Sequence, residues 1–197
     1  MNTGIILLAA GSSSRLGSPK QLVEYQGKTL IQRSIDVASK SEADSVLVVL
    51  GWQPNLIKKG IQSDGVYFVE NESWEDGMTS SMQAGLAWYM VSEDKVVSPN
   101  QILIMTCDQF KVDTDLLDSL IKEKEKSGKG IIACRYSDTL GVPAIFDEKY
   151  FEDLLGLDKK VPAKKLILEY LDDVQIVDFP LGALDLDTEE DLSKLNG

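Results

Sequence analysis

Histidine is absent from the 197 residues of this chain. That excludes a histidine-based triad, an imidazole proton shuttle and a histidine-ligated zinc site. Any chemistry must rest on carboxylates, lysine, arginine or a metal held by oxygen. Cysteine is scarce too, and Cys107 and Cys134 both fall in strand-like apolar runs. Two buried thiols in a reducing cytoplasm are expected rather than a disulfide. No apolar run reaches the roughly 18 to 20 residues that span a bilayer, and the N-terminus shows neither a basic leader nor a cleavage site. No membrane partner is expected. Low-complexity tracts and linker-like stretches are missing as well, so a single domain over residues 1–197 is the expectation.

Positive charge is in short supply, with 20 basic against 32 acidic residues and a formal net charge of −12. Nucleic-acid binding depends on neutralising phosphates, so this balance argues against it. A polyanionic small molecule would need local cations or a divalent metal to offset the global field.

Strand-like and helix-like segments alternate, which predicts an α/β protein. The expected architecture has three layers, α/β/α, around a mainly parallel, Rossmann-like sheet. Expected strands run over Gly4 to Ala9, Ser45 to Leu50, Val66 to Val69, Gln101 to Thr106, Ile131 to Tyr136, Val142 to Phe146 and Val174 to Val177. Expected helices cover Leu30 to Ala38 (capped by Thr29), a short stretch ending near Gly60, Ser80 to Met90, Asp113 to Ser127, Glu148 to Leu155, Ala163 to Leu171 and Thr188 to Leu195. Ser137 to Gly141 reads as a turn. Ligands of open parallel sheets bind beyond the carboxyl ends of the strands, so the loops there matter most.

Three of those loops carry candidate chemistry. After the first strand, the small residues Ala9 to Ser14 are followed by Arg15 and Lys20. Such a loop offers backbone N–H groups to an anion and two cations to its phosphates. It is also what an ordinary surface turn looks like, and it matches neither the Walker A nor the G-x-G-x-x-G pattern. After the third strand, Gly77 precedes Met78, Thr79, Ser80 and Ser81 at a helix start, either a base and ribose contact or a simple capped turn. After the fourth, Asp108 sits where a carboxylate could hold Mg²⁺ or merely cap the next helix. Near the C-terminus, Asp185 to Asp191 is acid-rich, which a helix start alone would explain.

Read in order, these segments say more. L-A-A-G-x-S-x-R-x-G-x-P-K-x-L (Leu8 to Leu22), N-x-x-W-x-x-G-M-x-S-S (Asn71 to Ser81), Cys107-Asp108-Gln109, G-V-P-A-x-F (Gly141 to Phe146) and D-x-D-T-x-E-D (Asp185 to Asp191) occur in one chain. Together they resemble the nucleotidyltransferases of the MobA/MocA type, most closely the molybdenum-cofactor cytidylyltransferases. Two departures stand out. Phe110 replaces the proline of C-D-Q-P, and Lys160-Val161-Pro162 interrupts the G-D-x-G-A-[RK] segment around Asp158, Lys159, Ala163 and Lys164.

The resemblance implies CTP, or GTP, as nucleotide, a phosphorylated small-molecule acceptor such as molybdopterin, and Mg²⁺ as cofactor. It implies nucleotide contacts from Leu8, Ala9, Ala10, Gly11, Ser12, Ser13, Arg15, Lys20, Gly77, Met78, Ser80 and Ser81. Arg15, Lys20 and Asp108 would be the catalytic residues, with Asp108 and Asp185 on the metal and Asp187-Thr188 as a structural cap. Gly141, Val142, Pro143, Asp158 and Lys159 would face the acceptor. Two other readings stay open: transfer to a sugar or polyol phosphate, and a non-catalytic nucleotide-binding chaperone for a molybdoenzyme partner.

Overall fold

The computed structural model describes residues 1–14, 16–62, 64–93, 98–186 and 191. Its centre is the strand β1 (Thr3–Ala9), in which every residue is buried. On one side lie β4 (Ser45–Leu50) and then β5 (Val66–Glu70); on the other lies β6 (Gln101–Thr106). All three pairings are parallel, for example Leu7 with Val48 and Leu7 with Met105. Continuous apolar runs suit strands covered on both faces. The odd residues Ile5, Leu7 and Ala9 pack on one face, and Ile6 and Leu8 on the other.

Helices α1 (Leu30–Lys40), α2 (Pro54–Lys59) and α4 (Thr114–Ser127) cover the first face, and α3 (Met78–Val91), α5 (Phe151–Gly156) and α6 (Lys164–Glu169) the second. The expected three-layer architecture is the one observed. Thr29 caps α1 by accepting from the N–H of Gln32, and Asp113 caps α4 through Leu116, each satisfying one orphan donor.

The far side of the sheet departs from a simple parallel count. Strand β7 (Ile131–Tyr136) turns into β8 (Thr139–Asp147), which runs antiparallel to both β6 and β7, and β9 (Val174–Asp178) closes the edge parallel to β7. The turn is only Ser137-Asp138, both with positive φ, as a tight two-residue hairpin requires. Gly141 therefore lies in a strand rather than in the expected turn. Val142 and Pro143 are extra residues in a bulge, since Cys134 faces Gly141 and Ala133 faces Ala144.

Smaller differences are local. Helix α3 begins at Met78, two residues early, because Gly77 (φ 108°) turns the chain there. A small hairpin, β2 (Glu24–Tyr25) and β3 (Lys28–Thr29), was not expected from its composition. The predicted segment Thr188 to Leu195 lies outside the described residues except for Asp191. No helix among the described residues is long and apolar enough to cross a membrane, and Cys107 and Cys134 are both buried and unbridged.

At the opposite end of the sheet from the strand carboxyl termini, Asp173 ties three elements together. Its carboxylate takes Lys149 Nζ at 2.7 Å and the Tyr150 hydroxyl at 2.6 Å. Burial pushes its pKa up, but these partners and the Gly130 N–H outweigh burial and bring it to about 2. A depressed carboxylate stabilises the fold above its unfolded pKa, near 3.9, and loses that contribution as pH falls towards 2. Asp173→Asn is expected to cost about 1–2 kcal/mol at pH 7, allowing for partial solvent screening. In urea melts repeated at descending pH, the gap between variant and parent should narrow between pH 4 and pH 2; a gap independent of pH would refute the assignment.

Candidate active site

In sequence the chain passes from β1 to β4 and β5 on one side, then returns to β6 on the other. The crevice between the carboxyl ends of β1 and β6 is therefore the topological switch point, where side chains from separate loops converge. A cleft of about 170 Å³ opens there. Leu8 to Gly11 line it from the first loop, Trp74, Gly77, Met78 and Ser81 from the start of α3, and Thr106, Cys107 and Asp108 from the end of β6, with Lys20 and Gln21 closing the side.

The first loop is held by its own side chains. Fully buried Gln21 donates to the carbonyls of Ala9 and Gly11, each at 2.8 Å. Ser13, in the left-handed region (φ 55°), accepts the Lys20 N–H on its hydroxyl at 3.0 Å. The loop thus folds back so that Lys20 faces the mouth of β6. Gly51, just after β4, is needed at the rear. A Cβ there would stand 2.8 Å from the Ala10 carbonyl and 2.5 Å from the Trp74 Cβ.

Lys20 Nζ donates to Asp108 Oδ2 at 2.5 Å, with both side chains 17% exposed. The Asp108 carbonyl accepts from Phe110 N at 2.9 Å and from Leu186 N at 3.2 Å. Leu186 is fully buried against Leu16 and Leu30, anchoring the C-terminal strap beside the Asp108 loop. That strap carries Asp185 into the neighbourhood of Asp108. Both charges act on Tyr136, whose phenol is raised first by burial and then by nearby negative groups including these two. Phe110 packs its ring edge against Tyr25, centroids 5.1 Å apart, and so ties the Asp108 loop to the β2–β3 hairpin.

The donors available to a cation here are carboxylate oxygens. Cys107 is buried, and burial followed by the adjacent Asp108 charge pushes its thiol up to about 12. It stays protonated and offers neither a thiolate ligand nor a nucleophile. Oxygen-only donors fit a hard divalent cation such as Mg²⁺ or Mn²⁺. Among the described residues no cluster of three or more acidic or thiol groups forms a closed metal cage.

Other sequence candidates fall as follows. Ser80 is buried away from the cleft. Its hydroxyl accepts from Asn71 at 2.9 Å and bonds the carbonyls of Ser73 and Gly77, so it shapes the turn. Ser81 also accepts from Asn71 but reaches the cleft wall. Ser12 does not line the cleft, and Ser13 serves it through Lys20. Arg15, Asp187 and Thr188 lie outside the described residues.

Gly141 and Val142 line a second, mainly apolar cavity of about 200 Å³ with Tyr136, Pro162 and Lys164. Met78 belongs to both walls, so the cavity and the cleft are neighbours. Pro143 is buried in the bulge beside it. Asp158 and Lys159 line a separate hollow with Asp76 and Gln83 instead. Lys159 pairs with Asp76 at 2.7 Å, and Thr79 Oγ1 donates to the Val161 carbonyl at 2.6 Å. The altered segment is thereby fastened to the first turn of α3.

Gln21 and Gln109 were missed as site residues. Gln109 donates to the carbonyls of Val142 and Gly182, joining the Asp108 loop, the bulge and the strap. A glutamine beside a small-residue loop or after a strand-end aspartate was the available signal, since amides bridge two backbone segments where apolar residues cannot.

A glycine loop, a helix start and a strand-end carboxylate around a switch-point crevice define a nucleotide-binding α/β protein. The chain belongs to the family of the MobA-like NTP transferase domain, whose model matches residues 5–174. The bifunctional protein GlmU of Bifidobacterium adolescentis is 32% identical over 129 residues, 64% of this chain. This chain spans only about a third or less of the length of such curated relatives, 27% in that case. Rv0371c from Mycobacterium tuberculosis superposes with a TM-score of 0.82 at 29% identity, over 99% of this chain and 97% of that one. A structure of Rv0371c in complex with manganese gives 0.76 at 26% identity, over 99% and 97%.

Proposed function

We propose that this chain transfers CMP from CTP to a phosphate-bearing acceptor, molybdopterin or its molybdenum-loaded form, releasing pyrophosphate. The observation that carries the proposal is the Lys20–Asp108 pair facing the glycine loop across one cleft. A cation for phosphate oxygens and a carboxylate for a hard metal lie within one nucleotide's reach of each other. Asp108, with Asp185 beside it, would hold Mg²⁺, which when bound supplies Lewis-acid polarisation of phosphate oxygens.

Rate then comes from alignment and charge neutralisation rather than covalent chemistry. The Ala10 and Gly11 backbone cradles the polyphosphate, Lys20 and Arg15 neutralise charge that grows on the leaving pyrophosphate, and Gly77, Met78 and Ser81 wall the base and ribose. An acceptor phosphate is already ionised at neutral pH, so no general base is required. This agrees with the absence of histidine.

The cavity beyond Met78 favours an acceptor with a flat or apolar body over a polyol phosphate, whose hydroxyls would meet few partners there. Cytosine over guanine rests on Ala9-Ala10 alone, by resemblance. The reducing cytoplasm suits two unbridged thiols. Pyrophosphate release with Mg²⁺ should be seen with CTP and molybdopterin, and be at least about tenfold slower with GTP or with methylerythritol phosphate. Faster release with GTP would reassign the base, and no release with any pair would favour the chaperone reading.

A further inference from the structure

We infer that Lys20 is a built-in counter-ion for the metal carboxylate, so that tight uptake of a divalent cation waits until phosphate has drawn the lysine away. The inference rests on the proposed role of Asp108 as a metal ligand. It starts from the pair itself. Nζ and Oδ2 are 2.5 Å apart, and only 17% of either side chain is exposed, so solvent screens the attraction poorly. A divalent cation on the same oxygen would stand within a few ångströms of the ammonium, and two unscreened cations repel there. One of them has to leave.

The lysine has the longer reach of the two. The Asp108 backbone is fixed through its carbonyl, which holds both Phe110 N and Leu186 N. Asp108 follows the buried residues Thr106 and Cys107, which continue the sheet. The Lys20 backbone is also fixed, by Ser13 on its N–H and by the anchored Gln21 next to it. Its four-carbon stem turns about more bonds than the single side-chain methylene of Asp108, and the small residues Ala10 and Gly11 share the cleft with it. Phosphate oxygens arriving there offer the ammonium a new partner and release the carboxylate. Metal and polyphosphate then bind cooperatively through one swinging side chain, and by linkage each strengthens the other equally.

The test is Mn²⁺ binding to the nucleotide-free protein, read from the electron paramagnetic resonance of free Mn²⁺. Lys20→Met is expected to tighten Mn²⁺ at least about tenfold over the parent, and Lys20→Arg, which keeps the charge, to leave it unchanged. Adding Asp108→Asn to Lys20→Met should abolish the gain. Equal affinity in Lys20→Met and the parent, or equal tightening in Lys20→Arg, overturns the inference. Should Lys20→Met fail to fold, the reciprocal measurement decides. In EDTA, tripolyphosphate should bind Asp108→Asn at least about fivefold more tightly than the parent, and no tightening refutes the counter-ion role. If Asp108→Asn alters Mn²⁺ binding in no background, the metal-ligand assignment itself fails. If it weakens Mn²⁺ while Lys20→Met gives no gain, only the counter-ion role is lost.

Discussion

Asp108→Asn is expected to lower kcat for pyrophosphate release by at least about 10²-fold while leaving the fold intact. One electrostatic contact made at developing charge is worth about 3–4 kcal/mol, which converts to a factor of 10² to 10³. The amide keeps the size of the carboxylate but loses the charge that would hold a hard cation. It also leaves Lys20 without that anionic partner, 2.5 Å away in the parent. The fold should survive with some loss of stability, because the loop is anchored through the Asp108 backbone carbonyl, while a largely buried ammonium loses one compensating charge. The check is turnover and a thermal melt on the same preparation. Full turnover in the variant would remove Asp108 from the mechanism, and loss of turnover with a collapsed melt would make it structural.

Gly85→Leu is expected to destabilise the protein by about 3 kcal/mol. Gly85 lies in the middle of α3, where a Cβ would stand 2.8 Å from Ile6 Cγ2 and 3.0 Å from Val49 Cγ2. Those atoms cannot move aside. Both are branched at Cβ, both residues are fully buried, and both lie in central strands. Helix propensity favours any side chain over glycine by up to about 1 kcal/mol, whereas overpacking costs about 1–3 kcal/mol. For alanine the two nearly offset, with a net loss of about 1 kcal/mol; for leucine overpacking dominates. In a chain of this size 3 kcal/mol lowers Tm by roughly 6–12 °C. Lifting α3 also lifts Met78 and Ser81 off the cleft, so KM for the nucleotide should rise in whatever fraction stays folded. An unchanged melt would mean that α3 does not lie this close to the sheet.

The near half of the fold was legible because its physical rules are local. Runs such as Ile5 to Leu8 and Val46 to Leu50 can only be doubly covered strands, and Thr29 and Asp113 announce their helices by capping chemistry. The far half was less legible. Gly141 and Pro143 carry the composition of a turn, yet pairing with β6 and β7 holds them in an antiparallel strand with a bulge. Pairing partners at that separation leave no local mark. The same limit applies to the site. Asp108 could be placed at a strand end by its apolar neighbours, but nothing adjacent to it points to Lys20, 88 positions away.

By itself, the sequence excluded histidine-based chemistry, through the lack of histidine, and determined the layered α/β class, through the spacing of its apolar runs. It also determined the family, through the order of its short motifs. Tertiary structure decided which of those residues meet. Ser80 turned inward because Asn71 and two carbonyls claim its hydroxyl. Asp158 and Lys159 went to a different hollow from Gly141 because their loop is fastened to Asp76 and Thr79. Lys20 came to rest on Asp108 because a buried glutamine and a left-handed serine fold the first loop back over the sheet. Residue types set what chemistry is available, whereas meetings between distant loops depend on backbone hydrogen bonds and packing that form only when the sheet is assembled.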